Sequence, residues 1–483
     1  MTKFDDEIIS GGTFRSIWKV AWPVIVTQLV ANVHGMIDQV LVGHKDGFEG
    51  QAAIGASWQL FLVVVVFLSS LFQGMNIMVA QYVGRKDSAA VNRIAYHTFL
   101  ACAYLLIFIV APVGYLLTPQ LLSLVDVSEG VRAHAQPYLR VLFVVNAPLF
   151  FMFLLGGVLQ SSGNIKTPLM LGLGTAVTHI VVSYVLINGV GPFPELGTVG
   201  AAVGTVLGPL PAVCVGAWLV LSGRTFVGPP DRYTLIPDLT ILRRSAAIGI
   251  PTGIQAVLLN IGGTVLIYFI NQLPDSGPAL AAYSVCYIQM FSIVTSAGFG
   301  LRAACATVIG QNIGAGKLAR GERAIYLGAG IGLATATFFG LIFWTLPGPL
   351  LSIFALNDNP MVGEVARGLL QYLTFSAVFV VVMLAFTGGL QGAGDTRNPM
   401  YIAFVTQILI LLGFCLAFQL ADRLTAQVIW TAILISHGTR LVLTYVVFSR
   451  GRWRKIIVSL DSSPAMKVAA ATVVEPSDVV RES

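Results

Sequence analysis

LQSSGNIKTP, residues 159–168, returns as LQGAGDTRNP, residues 390–399, at an offset of 231. AQYVGRK (80–86) returns as GQNIGAG (310–316) at an offset of 230, and the helix-opening prolines Pro23 and Pro251 lie 228 apart. Three separate pairs in one register identify a duplicated unit. Hydropathy says what is duplicated. A bilayer core about 30 Å thick takes roughly 20 apolar residues per helix. Twelve such stretches occur, near 17–42, 53–79, 94–117, 137–160, 166–189, 198–221, 245–272, 279–309, 324–346, 368–391, 398–419 and 427–448. With six spans in each unit, both halves enter the membrane in the same orientation, related by an axis along the membrane normal, an arrangement common among transporters. The prediction is an all-α membrane protein of twelve transmembrane helices in two six-helix pseudo-symmetric lobes. Residues 1–221 form the N-terminal lobe, 222–244 (with Gly228, Pro229 and Pro230) a cytoplasmic linker, 245–455 the C-terminal lobe, and 456–483 a cytoplasmic tail expected to be disordered.

Composition agrees. Of 483 residues 56% are hydrophobic and only 10% charged, against about 25% charged in a soluble globular chain. The net charge of +6 would suit nucleic acid, but its placement explains it otherwise. With the N-terminus inside, 21 of the 28 Lys and Arg fall on the cytoplasmic side, five (Lys45, Arg132, Arg140, Arg367, Arg423) on the other, and Arg302 and Arg440 within spans. That bias puts both termini in the cytoplasm of a multi-pass plasma-membrane protein, with no nucleic-acid partner needed. The opening Asp5, Asp6 and Glu7 are unlike a signal peptide. The cysteines Cys102, Cys214, Cys286, Cys305 and Cys415 sit in apolar spans at no ligand spacing, so neither disulfides nor a metal is expected.

Among the 22 acidic residues, Asp38 alone falls inside a span. A charge at the bilayer centre costs at least about 2.5–3.5 kcal/mol, which makes such a carboxylate a functional candidate. Fifteen residues after Pro23, it stands roughly 22 Å along its helix, in the outer half of the membrane. His34 lies one turn before it and can share its face. Together they predict a titratable, coupled site. Pro23 is tolerated in a first turn but bends a helix that starts upstream, near Phe14. His179 and His437 are also within spans, and Arg302 and Arg440 are placed to snorkel or to meet anionic groups. Tyr283, Tyr287, Met290 and Phe291 form an aromatic and methionine cluster able to line a substrate cavity. GQNIGAGK (310–317) falls short of a P-loop, with Gln311 and Leu318 where glycine and a hydroxyl residue are required, which disfavours an ATP-driven pump. The spans show no HExxH or GxSxG motif and no paired acids, so an enzyme is not expected.

Pro23 with DQVLVG (38–43), AQYVG and GQNIGAG, the paired LQSSGNIKTP and LQGAGDTRNP, and LGTVGAAVGT (196–205) together resemble the multidrug and toxin extrusion family over nearly the whole chain. The resemblance implies two six-helix lobes forming a V around a central cavity, and export of amphipathic, often cationic compounds in exchange for protons or sodium. It implies that Asp38 matches the family's first-helix carboxylate. One prokaryotic branch adds Asn and Asp on the fifth helix and Thr on the sixth; the matching residues here are His179, Ser183 and Thr205. A second branch uses a seventh-helix glutamate where this chain has Leu258, Leu259 and Asn260. An imidazole in place of an oxygen ligand favours protons over sodium. The ion-coupling candidates are therefore Asp38, His34, His179, Ser183 and Thr205, and the substrate-binding candidates Asp38, Tyr283, Tyr287, Met290 and Arg302. No cofactor is expected beyond the coupling ion. The partners are small organic molecules and membrane lipids, and the protein is expected to act as a monomer. The alternative is a flippase for lipid-linked saccharides, with Arg302 and Arg440 at the pyrophosphate.

Overall fold

In the computed structural model, residues 7–125, 127–354, 356–456, 458 and 460 are described, with the helical backbone alone for 31–36. Among the described residues there is no β-strand. The long helices are α1 (Thr13–Lys45), α2 (Gly47–Gly84), α3 (Ser88–Leu124), α4 (Glu129–Val144 with Ala147–Ser161), α5 (Lys166–Asn188), α6 (Thr198–Leu221), α7 (Leu239–Asn271), α8 (Ser276–Gly314), α9 (Leu318–Thr345), α10 (Pro360–Gly392), α11 (Arg397–Leu420) and α12 (Ala426–Ser449). Ten of these are long and apolar enough to cross a membrane, and the two pieces of α4, bent by 50°, make an eleventh. α1 runs 33 residues, about 50 Å at 1.5 Å per residue. Several helices outrun their apolar stretches: α7 starts at Leu239 rather than 245, and α2 spans Gly47–Gly84 rather than 53–79. Hydropathy marks the length that lipid demands, whereas backbone hydrogen bonding carries a helix on into the headgroups and water. α1 starts at Thr13, so Pro23 lies well inside it. There it removes one helical N–H, and Thr27 donates to the Pro23 carbonyl (2.8 Å).

The repeat is written into the backbone. Gly163 and Gly394 take φ of +90° and +97°, the left-handed turn that glycine adopts without a Cβ penalty. In each copy the glycine N–H bonds back to Gln160 or Gln391, and the next N–H, of Asn164 or Asp395, reaches the carbonyl of Leu159 or Leu390. This closes the helix with a six-to-one bond. The Asn164 and Asp395 side chains then accept from the backbone N–H three residues on, capping α5 and α11 alike. At the other repeated motif, Lys86 (φ +61°) holds the left-handed turn that its counterpart Gly316 (φ +72°) makes.

The chain divides into two compact units. The first comprises Lys19–Val79 and Asp87–Gly253. Its interior carries Phe61, Phe72, Phe143 and Phe150 with ring centroids 5.6–6.3 Å apart, and a leucine cluster of Leu155, Leu159 and Leu171 around Ala212. The second comprises 7–18, Ala80–Lys86 and the chain from Ile254. It is built around α8 and α10, whose apolar windows are 72% and 61% buried, against 28–39% for its other spans. Ile8 and Ile9 are buried in this unit, where the Ile8 carbonyl accepts from Asn312 and Arg320. Past α12, Trp453 stacks on Phe448 (5.0 Å) and the Val458 carbonyl accepts from Arg85 (2.8 Å). The rest of the expected tail, 461–483, lies outside the described residues.

Candidate functional site

Asp38 is 5% exposed, on α1. Its Oδ2 lies 3.0 Å from His179 Nε2 on α5 and accepts from Thr205 Oγ1 on α6 at 3.4 Å. Thr205 Oγ1 is also 3.4 Å from His179 Nε2, and Ser183, one turn beyond His179, approaches the same nitrogen at 3.5 Å. Tyr138 of α4 is buried beside Thr205 and within electrostatic reach of Asp38. Four helices therefore converge on one carboxylate. The close approach depends on α6 having no side chains where it meets α5. A Cβ on Gly204 would fall 2.0 Å from Ser183 Oγ, and one on Gly208 would fall 2.7 Å from His179 Cα.

The level at which these groups meet is set where the end of α1 meets the start of α6. Asp46, just past α1, accepts from both the backbone N–H and the hydroxyl of Thr198, the first residue of α6. An anion there also suits the positive end of the helix dipole. Asp38 lies eight residues back along α1 and Thr205 seven residues on along α6, about 12 and 10.5 Å from the clamp, so both fall at one depth. His134 Nδ1 stands 3.9 Å from Asp46, and Lys45 pairs with Glu195 at 2.7 Å.

Proton bookkeeping follows from the geometry. The contact between Asp38 Oδ2 and His179 Nε2 needs one hydrogen, supplied by either the ring or the carboxyl. Thr205 has one hydroxyl hydrogen and three acceptors in range: Asp38, His179 and the Ala201 carbonyl at 3.0 Å. Among the described residues, Asp38 Oδ1 has no hydrogen-bond partner although it is buried. When the ring supplies that hydrogen, a proton added at Oδ1 would neutralise the carboxylate without breaking the contact at Oδ2. Deleting one partner of such a buried pair costs of order 3–5 kcal/mol when the other stays charged.

The structure thus brings together Asp38, His179, Ser183 and Thr205; the side chain of His34 lies outside the described residues. Same-helix spacing pointed to His34, whereas the described partner of Asp38 comes from α5. Tyr138 and Asp46 carried no signal in the spacing, although Thr198 and Thr205 both belong to the quoted LGTVGAAVGT.

Also within the first unit is a cavity of about 430 Å³ lined by the amides of Gln28, Gln73, Asn76 and Gln160, by Phe72 and Phe153, and by Thr175, one turn before His179 on α5. Gln73 and Asn76 are three apart on α2 and so share a face, a pattern of uncharged polar residues in an apolar span that leaves no mark on the charge distribution.

The other substrate candidates lie in the second unit. Tyr283 stacks on Tyr287 (centroids 5.0 Å) and on Trp430 (6.3 Å), and Tyr287 continues to Phe291 (5.5 Å) and His437 (6.4 Å). Tyr283 and Met290 are buried, and Tyr287 is half-buried. Arg302 belongs to a separate polar chain: its Nη1 donates to Gln391 (3.5 Å), which donates to Gln255 (3.1 Å), and its guanidinium lies 5.2 Å from the Phe299 ring. Among the described residues, no three His, Cys, Asp or Glu side chains are grouped to hold a metal.

Known proteins share this organisation. The family model MatE matches residues 23–185 and 251–416, one match in each half. A "Probable multidrug resistance protein NorM" from Thermotoga maritima is 24% identical over 446 residues, covering 91% of this chain and 93% of that protein. A "Probable multidrug resistance protein YoeA" from Bacillus subtilis is likewise 24% identical, over 89% of this chain and 92% of its own. Among solved structures, one described as the outward-facing conformation of a multidrug resistance MATE family transporter of the MOP superfamily superposes with a TM-score of 0.85 at 17% identity, covering 93% of this chain and 98% of that one.

Proposed function

This chain belongs to the MatE family, and on that premise we propose that it is a multidrug exporter that expels amphipathic, cationic organic compounds in exchange for protons. The observation that carries the proton reading is the buried Asp38–His179 contact at 3.0 Å with Asp38 Oδ1 unpartnered among the described residues. A proton needs one titratable atom. Sodium needs several converging oxygens, and here an imidazole nitrogen stands among the oxygens of Asp38, Thr205 and Ser183. In the charged state Asp38 supplies the negative counterpart for a cationic drug. Protonation removes that charge, releases the substrate and lets α1 repack through the region of Pro23.

The amide- and aromatic-lined cavity supports the same substrate class. Its polar groups are uncharged, so they orient a ligand by hydrogen bonds and ring contacts without demanding one fixed charge pattern. Its wall at Thr175 is one helical turn from His179, close enough for drug and proton to compete. The distribution of 21 basic residues against five supports a plasma-membrane protein with both termini cytoplasmic, acting as a monomer.

The test is transport in proteoliposomes under imposed proton or sodium gradients, comparing the wild type with Asp38→Asn and His179→Ala. Drug efflux driven by a proton gradient in the wild type and lost in Asp38→Asn is the expected result. Efflux driven only by sodium overturns the coupling ion, and tight binding of lipid pyrophosphates with indifference to organic cations overturns the substrate class in favour of a flippase.

A further inference from the structure

A second cavity of the first unit, about 350 Å³, lies between the early part of α1, the turn that joins α4 to α5 and the chain just past α6. Each of the three segments contributes one cation to its wall: Lys19, Lys166 and Arg224. Its polar lining otherwise includes Asn164, and among the described residues no Asp or Glu lines it. The guanidinium of Arg224 is steadied by the Trp218 ring, 4.4 Å away. Cations gathered round one recess repel one another, and an anion placed among them relieves that repulsion.

The second unit supplies the contrast. The chain leaves α6 through Gly223 (φ +69°) and α12 through Gly451 (φ +68°), at the same offset of 228 that separates Pro23 from Pro251. Beyond Gly451 it lays Ile456 and Val458 against the Gly394 turn, where a Cβ would fall 3.2 and 2.9 Å from them. That turn also bears a buried acid, Asp395, where the first unit has Asn164. Apolar chain and a carboxylate leave no place for an anion there. On the same backbone plan, the first unit leaves the space open and rings it with cations. Trp22, on the cavity wall, and Trp218, against Arg224, are both exposed. Exposed tryptophans on membrane helices sit at headgroup level, so the anion within reach of this cavity is that of a lipid.

We propose that the cavity binds the phosphodiester of an anionic membrane lipid of the phosphatidylglycerol type, with Lys19, Lys166 and Arg224 around the phosphate and Trp22 beside the glycerol. Charge-assisted hydrogen bonds to phosphate are among the strong ones, and basic pockets of this kind recognise lipid headgroups. The three segments belong to or directly follow α1, α5 and α6, the helices that carry Asp38, His179 and Thr205. A bound lipid therefore braces α1 and α6 at the ends opposite the Asp46–Thr198 clamp. Its assignment to the cytoplasmic leaflet rests on the topology proposed above; the binding itself does not depend on the coupling ion or the drug.

The experiment titrates the purified, delipidated full-length protein in detergent with dioleoylphosphatidylglycerol or dioleoylphosphatidylcholine and counts retained lipid by native mass spectrometry. One phosphatidylglycerol, held about tenfold or more tighter than phosphatidylcholine, is expected. Lys166→Gln and Arg224→Gln should each weaken it about fivefold, whereas Arg323→Gln, which removes an exposed cation of the second unit, should leave it unchanged. The deciding variant is Asn164→Asp. It copies Asp395, whose carboxylate caps α11 as Asn164 caps α5, so the helix keeps its cap while the cavity gains a negative charge. A loss of about tenfold or more, with the lipid-free thermal midpoint unchanged, is expected. Wild-type affinity in Asn164→Asp, or an equal loss in Arg323→Gln, overturns the proposal, the second outcome in favour of diffuse surface charge. Inorganic phosphate that binds as tightly as the lipid and displaces it overturns it in favour of a soluble phosphate compound. No gradient or drug enters these measurements, so failure of the export reading leaves them standing.

Discussion

The two units share a backbone plan and differ in what they bury. Both close a helix with a left-handed glycine, Gly163 or Gly394, and both start the next with an Asn or Asp cap. Inside, the first unit holds a carboxylate against an imidazole, and the second holds guanidinium groups against amides and rings. Turn chemistry fixes chain path and tolerates little change, whereas a buried polar side chain needs only a partner of the right sort. Duplication has kept the first and let the second diverge. Polarity, not topology, is therefore what distinguishes the two units.

The comparison can be broken hardest at its acidic end. Asp38→Asn should cut proton-driven efflux in proteoliposomes by about 100-fold or more, because the amide cannot change charge; near-normal exchange would remove the first unit's distinction. Gly208→Val puts a branched side chain against the backbone of His179 and should destabilise the protein by about 3 kcal/mol or more, read as a fall in the thermal midpoint in detergent. His179→Ala leaves Asp38 without its buried partner and should slow exchange about tenfold while shifting the pH of half-maximal rate; an unshifted profile would reduce His179 to packing.

Smaller effects sharpen the comparison at the turns and surface. Lys86→Gly relieves a left-handed residue whose counterpart is already Gly316 and should raise stability by about 1 kcal/mol, measured by thermal unfolding. The smallest effect lies outside the membrane. Burial alone would raise the Asp238 carboxyl, but the hydrogen bond from Arg93, with backbone bonds at Thr240 and Ile241, outweighs it and holds the group below its ordinary value. A carboxyl lowered in the fold contributes stability that is present above the unfolded value of about 3.9 and is lost as pH falls through the folded one. With Arg93 well exposed, the contribution is below about 1 kcal/mol. Asp238→Asn should remove that slice of acid sensitivity, read in the pH dependence of thermal unfolding.

Much of the fold was legible because membrane helices declare themselves through length, and the repeat through spacing. Pro23, Pro251 and the paired LQSSGNIKTP and LQGAGDTRNP gave the two-lobe plan before any contact was known. The ends of α2 and α7 were not legible, since hydropathy reports solvent rather than hydrogen bonding. At the candidate site, Asp38 stood out because an acid is rare in a span. Its neighbours did not, because spacing along one helix reveals only same-helix pairs such as Asp38 with His34. His179, Ser183 and Thr205 entered through family resemblance, and Tyr138, Asp46 and the amide cavity had neither route. A tyrosine or glutamine in an apolar helix looks the same whether it faces lipid, a neighbour or a ligand.

The enclosure of α8 bears on how the protein is made. α8 is the most buried span, yet among the least apolar, and Arg302 within it meets Gln391 of α10, 89 residues later. At about 5–20 residues per second, a ribosome needs roughly 5–20 s to supply that partner. Through this interval the nascent second unit carries an unsheltered guanidinium in the bilayer. Biogenesis, more than the finished fold, is where a retaining hand from the insertion machinery is needed.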